Sequence, residues 1–548
     1  MADMRIAEAV ESGQLTSTDS SSGANSFGDK ANQVQSSYRR GYVEYLIFTL
    51  CASLYLLPFM RILLEATDEG TLINGAVRIV HGQVFARDFL EAMGPGTFFW
   101  LGAFFKLFGV TFIATRICLF ITSLGTGLLV YFLSRRVCPR YQQLPCIILV
   151  GTYFSVLWPT ISHHVDSNFF ALASVACMVL WRQRRSGILL IAAGMLAGVT
   201  TSVHQPKGGL LLVAILLWLW MRRQKGAAPM AALGLVTAGY CGVIGIVLLY
   251  FLSRGALRDL VYVTIVWPYG HYGPTNVVPY AQGLAIYWDR LVAKSGFNWS
   301  TGMASVLITP FLFVAALPVL LPILAARSKW NAMRPEVALY WLCGWALWLS
   351  EIHRKDIWHL VFGSPLLIIV GVYLLMERRE KVADLALQLL LISAGCLACF
   401  NLFLALTAHP LTTRVGTVAV FKDDPVLTFL DEHVAPGEEI FAYPYCPMYY
   451  FLSSTVNPTH YSILFYNYNI SSQFEEVVRT LEQHRVKYVI WDTGFEARAA
   501  STFFPEAKRT NPHDYILEPY LESHYRVVKA VNGIRIMERK SEGHPDYK

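Results

Sequence analysis

"ATDEGTLINGAVRIVHGQVFARDFLEAMGPG" (residues 66–96) runs directly into "TFFWLGAFFKLFG" (97–109). The second piece decides how every later segment is placed. Thirteen helical residues cover only ~20 Å, short of the ~30 Å core of a bilayer. Charge then chooses between the two placements. If the piece crossed, "SRRVCPR" (134–140) would lie outside. If it lies along the outer interface, the basic loops alternate as the positive-inside rule requires. The inner side then holds Arg39-Arg40, Arg135-Arg136, Arg184-Arg185, Arg222-Arg223, Arg327 with Lys329, and Arg378-Arg379. Lys106 can snorkel to the headgroups from such an interfacial helix.

Outward from this stretch the chain is apolar. Of 548 residues 54% are hydrophobic and 15% charged, where a soluble domain carries about a quarter charged residues. Apolar runs predict spans at 42–60, 111–133, 144–161, 168–181, 187–203, 208–221, 229–252, 303–326, 336–350, 358–376 and 383–408. The expected fold class is a polytopic α-helical membrane protein with about eleven transmembrane helices. Residues 1–40 read as a disordered cytoplasmic tail, Ser-rich and without the apolar core of a secretory signal. Residues 41–409 form the transmembrane domain, with a first outer loop at 61–110.

The C-terminal region, 410–548, changes character. "EEIFAYP" (438–444), "VKYVIWD" (486–492) and "GIRIMER" (533–539) read as strands. Asp424 with Pro425 opens one helix, and Ser472 with Glu475 has capping-box spacing for another. Strands alternating with helices predict a small extracytoplasmic α/β domain. It has no glycine-rich phosphate fingerprint, and nothing in the chain points to nucleic acid. Nine of ten cysteines precede residue 400, leaving Cys446 alone in this region, so no disulfide framework is implied. Two glycosylation sequons, at Asn298 and Asn469, are short enough to be chance matches.

Four outer patches carry groups able to do chemistry: Asp68-Glu69 with Arg78, Arg87, Asp88 and Glu91; His163, His164 and Asp166; His204, Gln205 and Lys207; and Glu351, His353, Arg354, Asp356 and His359. Each abuts the outer end of a span, so all could meet in one cavity. Leu72, Ala76, Ile79 and Val80 share a helical stripe ending at Gly82, which predicts a short helix over 68–81 along the membrane surface. Its opening acids could merely favour the helix dipole. As helical neighbours they point ~100° apart, so at most one faces a given ligand. Lys207 and Arg354 could be ordinary interfacial charges. A structural reading competes more strongly still for His163, His164 and Asp166. Arg116, just inside its span, can snorkel or pair with an acid of the first loop.

Anions held beside lipid want Arg or Lys, which give charge-assisted hydrogen bonds. A carboxylate nearby can take a proton from an attacking hydroxyl. Two carboxylates can instead hold a divalent ion, Mg²⁺ or Mn²⁺, that neutralises phosphate.

With those residues in view, "DEGTLINGAVRIVHGQVFARDFLEAMGPGTFFWLGAFFKLFGVTFIATR" resembles the first outer loop of GT-C superfamily membrane glycosyltransferases. The likeness is to the bacterial protein-mannosyltransferase/aminoarabinose-transferase group: an acidic pair after the first span, a Gly-Pro turn, an aromatic interfacial helix ending "KLFG", and an Arg early in the next span. The resemblance implies a glycosyltransferase of the cell envelope, in the bacterial plasma (inner) membrane. Its donor would be a polyprenyl-phosphate sugar and its acceptor a glycan, lipid or protein. It makes Asp68 the catalytic base or a metal ligand, with Glu69 its partner; Asp88 is, apart from the resemblance, a candidate second metal-binding carboxylate. By the resemblance Lys207 and Arg354 would bind the donor phosphate; His204 and His353 are further candidates for it, with Asp166, His163 and Arg116 nearby. The sequence departs from the family in lacking a known acceptor motif. A transporter or flippase is the rival reading, but it would want ionisable groups at mid-membrane. A non-catalytic binding protein is the other.

Overall fold

The computed structural model describes residues 41–63, 67–91, 93–153, 160–223, 229–272, 277–293, 299–326, 334–466, 468–502 and 515–541. The described residues divide into two compact units, the first ending at Leu57 and the second beginning at Pro58. In the first, an apolar helix begins at Gly41.

In the second unit the first loop comes first, with helix α1 (Asp68–Val80) and the aromatic helix α2 (Gly96–Phe108). The apolar helices follow: α3 (Phe112–Val137), α4 (Leu144–Tyr153), α5 (His163–Arg184), α6 (Gly187–Val203), α7 (Gln205–Arg223), α8 (Met230–Ser253), α9 (Trp299–Ala326), α10 (Pro335–Leu349), the pair α11 (Ile357–Gly363) and α12 (Pro365–Glu377), and α13 (Lys381–Leu406). Among the described residues six helices are long and apolar enough to cross a membrane: Gly41–Arg61, α3, α5, α8, α9 and α13. The pair α11 and α12, bent by 76°, makes a seventh if counted as one span. Of the eleven expected positions, those at α4, α6, α7 and α10 carry helices that are shorter or more polar.

Local chemistry sets the helix starts that matter for the site. Thr111 accepts a hydrogen bond from the Ala114 amide at the head of α3, and Ser162 from the His164 amide at the head of α5. Asp356 caps α11 through the Trp358 and His359 amides. Pro365 has no amide to continue the ladder, so the helix breaks at Ser364.

α1 is not left lying on a surface by a single stripe, as the sequence predicts. Leu72, Ile73 and Ala76 are buried, and so are Asn74 and Arg78 on the other side. A Cβ on Gly75 would stand 2.5 Å from Phe98 of α2, and one on Gly70 would stand 2.4 Å from the Met448 amide. Only glycine lets α1 be gripped this closely on both flanks.

After α13 the hairpin β1 (His409–Thr413) and β2 (Gly416–Val420) returns to the first loop, where the Leu63 amide donates to Ala419 and the Phe112 amide to Val415. A four-stranded sheet follows, ordered β3 (Ile440–Tyr443), β4 (Tyr488–Asp492), β6 (Ile534–Arg539), β5 (Tyr525–Val531). The β3/β4 pair is parallel and the others antiparallel. Helices α14 (Pro425–His433), α15 (Met448–Leu452), α16 (Ser471–Gln483) and α17 (Leu517–His524) are interspersed. Asp424 caps α14 through the Val426 amide, as its position predicts. α16 starts earlier than the Ser472/Glu475 spacing implies, because the Gln473 side chain accepts from the Ile470 amide. The side chain of Asn469 is also held inside, by Gln473 and the Phe465 amide.

Further bonds between described residues clamp the first loop to this region. Arg78 Nη1 donates to the Thr459 carbonyl at 2.9 Å, Asn74 to Ser462 at 3.1 Å, and the Leu90 amide to the His460 carbonyl at 2.9 Å.

Candidate active site

The N-terminus of α1, the chain before and into α5, the 351–359 turn and the C-terminal region wall a cavity of about 80 Å³. Asp68, His163, His164, Arg354, His359 and Tyr445 give it its polar groups; Phe465 and Tyr468 give it an aromatic side. Asp68 is exposed, and its Oδ1 accepts a hydrogen bond from the Tyr445 hydroxyl.

Glu69 turns the other way. It is fully buried, and its Oε1 accepts from Arg116 Nη2 at 2.6 Å and from the Ile161 amide at 3.1 Å. Arg116, itself 1% exposed, lies over the Phe112 ring. This pair ties α1 to α3 and fixes the 160–162 segment that walls the cavity. Removing one partner of such a buried pair costs ~3–5 kcal/mol, since the other charge is stranded.

Behind the cavity a second network fastens the apolar helices together. Lys207, fully buried near the start of α7, places Nζ 2.7 Å from Glu351 Oε1 and 3.0 Å from Asn168 Oδ1. His164 Nδ1 stands 3.1 Å from the same Glu351 oxygen. Burial alone would raise the Glu351 carboxyl, but His164 and Lys207 hold it well below the usual carboxylate range. Beside it, Asp356 pairs with Arg354 Nε at 2.8 Å and with His359 Nδ1 at 2.8 Å. His204 and His163 stack at 5.5 Å, and both rings adjoin His164. His353 lies near His359, 6.3 Å between ring centres.

The remaining expected residues lie apart from this centre. Asp88 pairs with Arg87 at 2.7 Å and accepts from the Val84 amide. It sits beyond the far end of α1, ~20 Å of helix from Asp68, so these two carboxylates are not brought together as a metal pair. Asp166 is buried and accepts from Thr97, which joins α5 to α2. Glu91 is 1% exposed; burial pushes its carboxyl up to about 8, against the pull of Ser462 and Arg78. Two other groups are spaced for a cation: His163, His164 and His204; and His164, Glu351 and His359.

No protein-family model matches the chain, and no curated protein does. Solved structures do. ArnT from Cupriavidus metallidurans bound to undecaprenyl phosphate is 12% identical, with TM-score 0.51, covering 92% of this chain and 99% of that one. The apo state of the same protein gives TM-score 0.52 at 12% identity, covering 91% and 98%. The chain has the GT-C fold. It is an integral membrane protein. The arabinosyltransferase EmbB from Mycobacterium smegmatis is 13% identical with TM-score 0.32, over 66% of this chain and 40% of that one.

Within this GT-C fold the structure brings Asp68, His163 and Arg354 to one cavity. Lys207 stands behind that wall, joined to it through Glu351 and His164. Sequence reasoning missed Tyr445, Phe465 and Tyr468 altogether. The available signal was the crowding of aromatics in "YPYCPMYYF" and "ILFYNYN", unusual for an otherwise polar region.

Proposed function

We propose that the chain is a glycosyltransferase that moves a sugar from a polyprenyl-phosphate donor to an acceptor at the outer face of the membrane. One observation carries the reading: an exposed carboxylate, Asp68, shares a cavity with the Arg354 guanidinium and imidazoles. That is a proton acceptor facing cations suited to phosphate. The bound undecaprenyl phosphate of ArnT, on the same fold, supports the donor class.

In the reading proposed here the displacement inverts the anomeric centre. Asp68 accepts the proton of the acceptor hydroxyl as its oxygen bonds to the anomeric carbon. The bond to the lipid phosphate breaks on the opposite side, and its electron pair leaves with the phosphate. Arg354 stabilises that charge directly. Lys207, His204 and His353 contribute from behind it. Glu69, with Arg116, positions α1. The Tyr445 hydroxyl orients Asp68.

The same proposal covers topology. It has eleven spans, counting α4, α6, α7 and α10, with the N-terminus cytoplasmic and residues 410–548 an extracytoplasmic α/β domain. The membrane is the bacterial plasma membrane. Purified protein supplied with labelled polyprenyl-phosphate sugar and acceptor is expected to release lipid phosphate in step with sugar transfer. A flippase would move the lipid without releasing phosphate, and a binding protein would do neither.

A further inference from the structure

Glu351 presents an unusual buried carboxylate. One oxygen, Oε1, is taken by Lys207 and His164. The other, Oε2, is buried and has no hydrogen-bond partner among the described residues. An orphaned anionic oxygen is costly in an interior. It has imidazoles for neighbours. One donor atom from each of His164, Glu351 and His359 lies within 4.8 Å of the other two.

Each ligand is also backed by a second residue. Asp356 Oδ1 lies 2.9 Å from His359 Nδ1, so it takes the proton there and leaves Nε2 with a lone pair. Asp356 is itself held by Arg354. Glu351 Oε1 is anchored by Lys207, which leaves Oε2 to bind. His164 is fixed between the Phe362 ring, stacked at 4.8 Å, and the His359 ring. His164 and His359 line the cavity, so a fourth coordination position would open onto it.

We propose that His164, His359 and Glu351 form a binding site for a divalent transition metal of the zinc class. Two imidazoles and one carboxylate suit such an ion better than Mg²⁺ or Mn²⁺, which favour oxygen. Tetrahedral ligands ~2.0–2.1 Å from zinc stand ~3.4 Å apart, so loading draws the three together by ~1.5 Å at most. Local charge favours it: Asp68, Glu351 and Asp356 outnumber Arg354 and Lys207. The ion's role rests on the glycosyltransferase reading. It would accept an oxygen of the departing lipid phosphate and share the developing charge with Arg354.

Purified full-length protein, stripped with chelator and dialysed against Zn²⁺, is expected to hold ~1 ion per chain by elemental analysis, and Co²⁺ to give the visible spectrum of a four-coordinate site. His359→Gln and Glu351→Gln are expected to reduce zinc to under ~0.1 per chain, while His204→Gln leaves it near one. Glu351→Gln also unpairs Lys207, so His359→Gln is the decisive variant, with folding checked by its elution and melting profile. Unbound zinc in the parent protein overturns the proposal. So does loss of binding in His204→Gln with retention in His359→Gln, which would move the ion to the other histidine group. Sugar transfer at full rate by metal-free protein overturns the ion's role and leaves the transferase reading intact. Zinc bound without transfer overturns the transferase reading, and the ion's role with it, and leaves the metal site itself intact.

Discussion

On the cavity wall formed by the ends of the apolar helices, each charge is held by another charge. Lys207 meets Glu351, Arg354 meets Asp356, and the imidazoles stack on one another. On the facing wall Asp68 meets a tyrosine hydroxyl and open space, beside Phe465 and Tyr468. The first wall is fixed before any ligand arrives, as electrostatic stabilisation of a leaving group requires. In the proposed mechanism the second wall leaves a carboxylate to take up a proton, beside buried rings that stack on one another. Under the proposed function the difference would separate two jobs that one uniform polar pocket would perform poorly.

Substitutions can break that contrast. The largest effect is expected from Asp68→Asn, which removes the proton acceptor without changing shape. Transfer should fall by ~10²–10⁴-fold while the protein still reaches the membrane, measured as sugar release per amount of membrane protein. Near-normal turnover would take Asp68 out of the mechanism. Glu351→Gln attacks the other wall. It strands Lys207, so thermal stability in detergent should drop by the equivalent of ~3–5 kcal/mol; an unchanged melting point would mean that the pair contributes nothing. Tyr445→Phe keeps the ring and removes one hydrogen bond, for a loss in turnover of about tenfold with little change in melting.

The division between the two acids of "TDEG" was only half legible in the sequence. Helical geometry says that at most one of Asp68 and Glu69 faces a ligand. Which one depends on Arg116 and the Ile161 amide, 47 and 92 residues away from Glu69. Helix positions were far more legible, because long apolar runs can form little else in a bilayer. Lys207 was opaque for a related reason. "HQPKGG" reads the same whether its cation meets lipid headgroups or a buried carboxylate from residue 351. Tyr445 lies 377 residues from Asp68, and no local pattern links them.

Two smaller tests concern the back of the first loop. The Glu91 carboxyl titrates at about 8 in the folded protein, against an ordinary value of 4.5. Between those values the unfolded chain loses its proton and the folded one keeps it. Stability therefore declines as pH rises across that window and levels off above it. Glu91→Gln should flatten this stretch of the melting-versus-pH curve; an unaltered slope would assign it to another group. Asp88→Asn should be the mildest change. Its partner Arg87 is exposed, so the melting point is expected to change little, and transfer should persist. A large loss of transfer would restore Asp88 to the chemistry.

The clamp between the first loop and the C-terminal region has a consequence for biogenesis. Asn74 and Ser462 are 388 positions apart, so a ribosome has made most of the polypeptide before α1 can find its final neighbours. The candidate site is then the last feature a nascent molecule completes. A chain halted after residue 409 is expected to insert into the bilayer and stay inert, its early loop open to added protease. Protection of that loop in the halted chain would show that it matures without the tail.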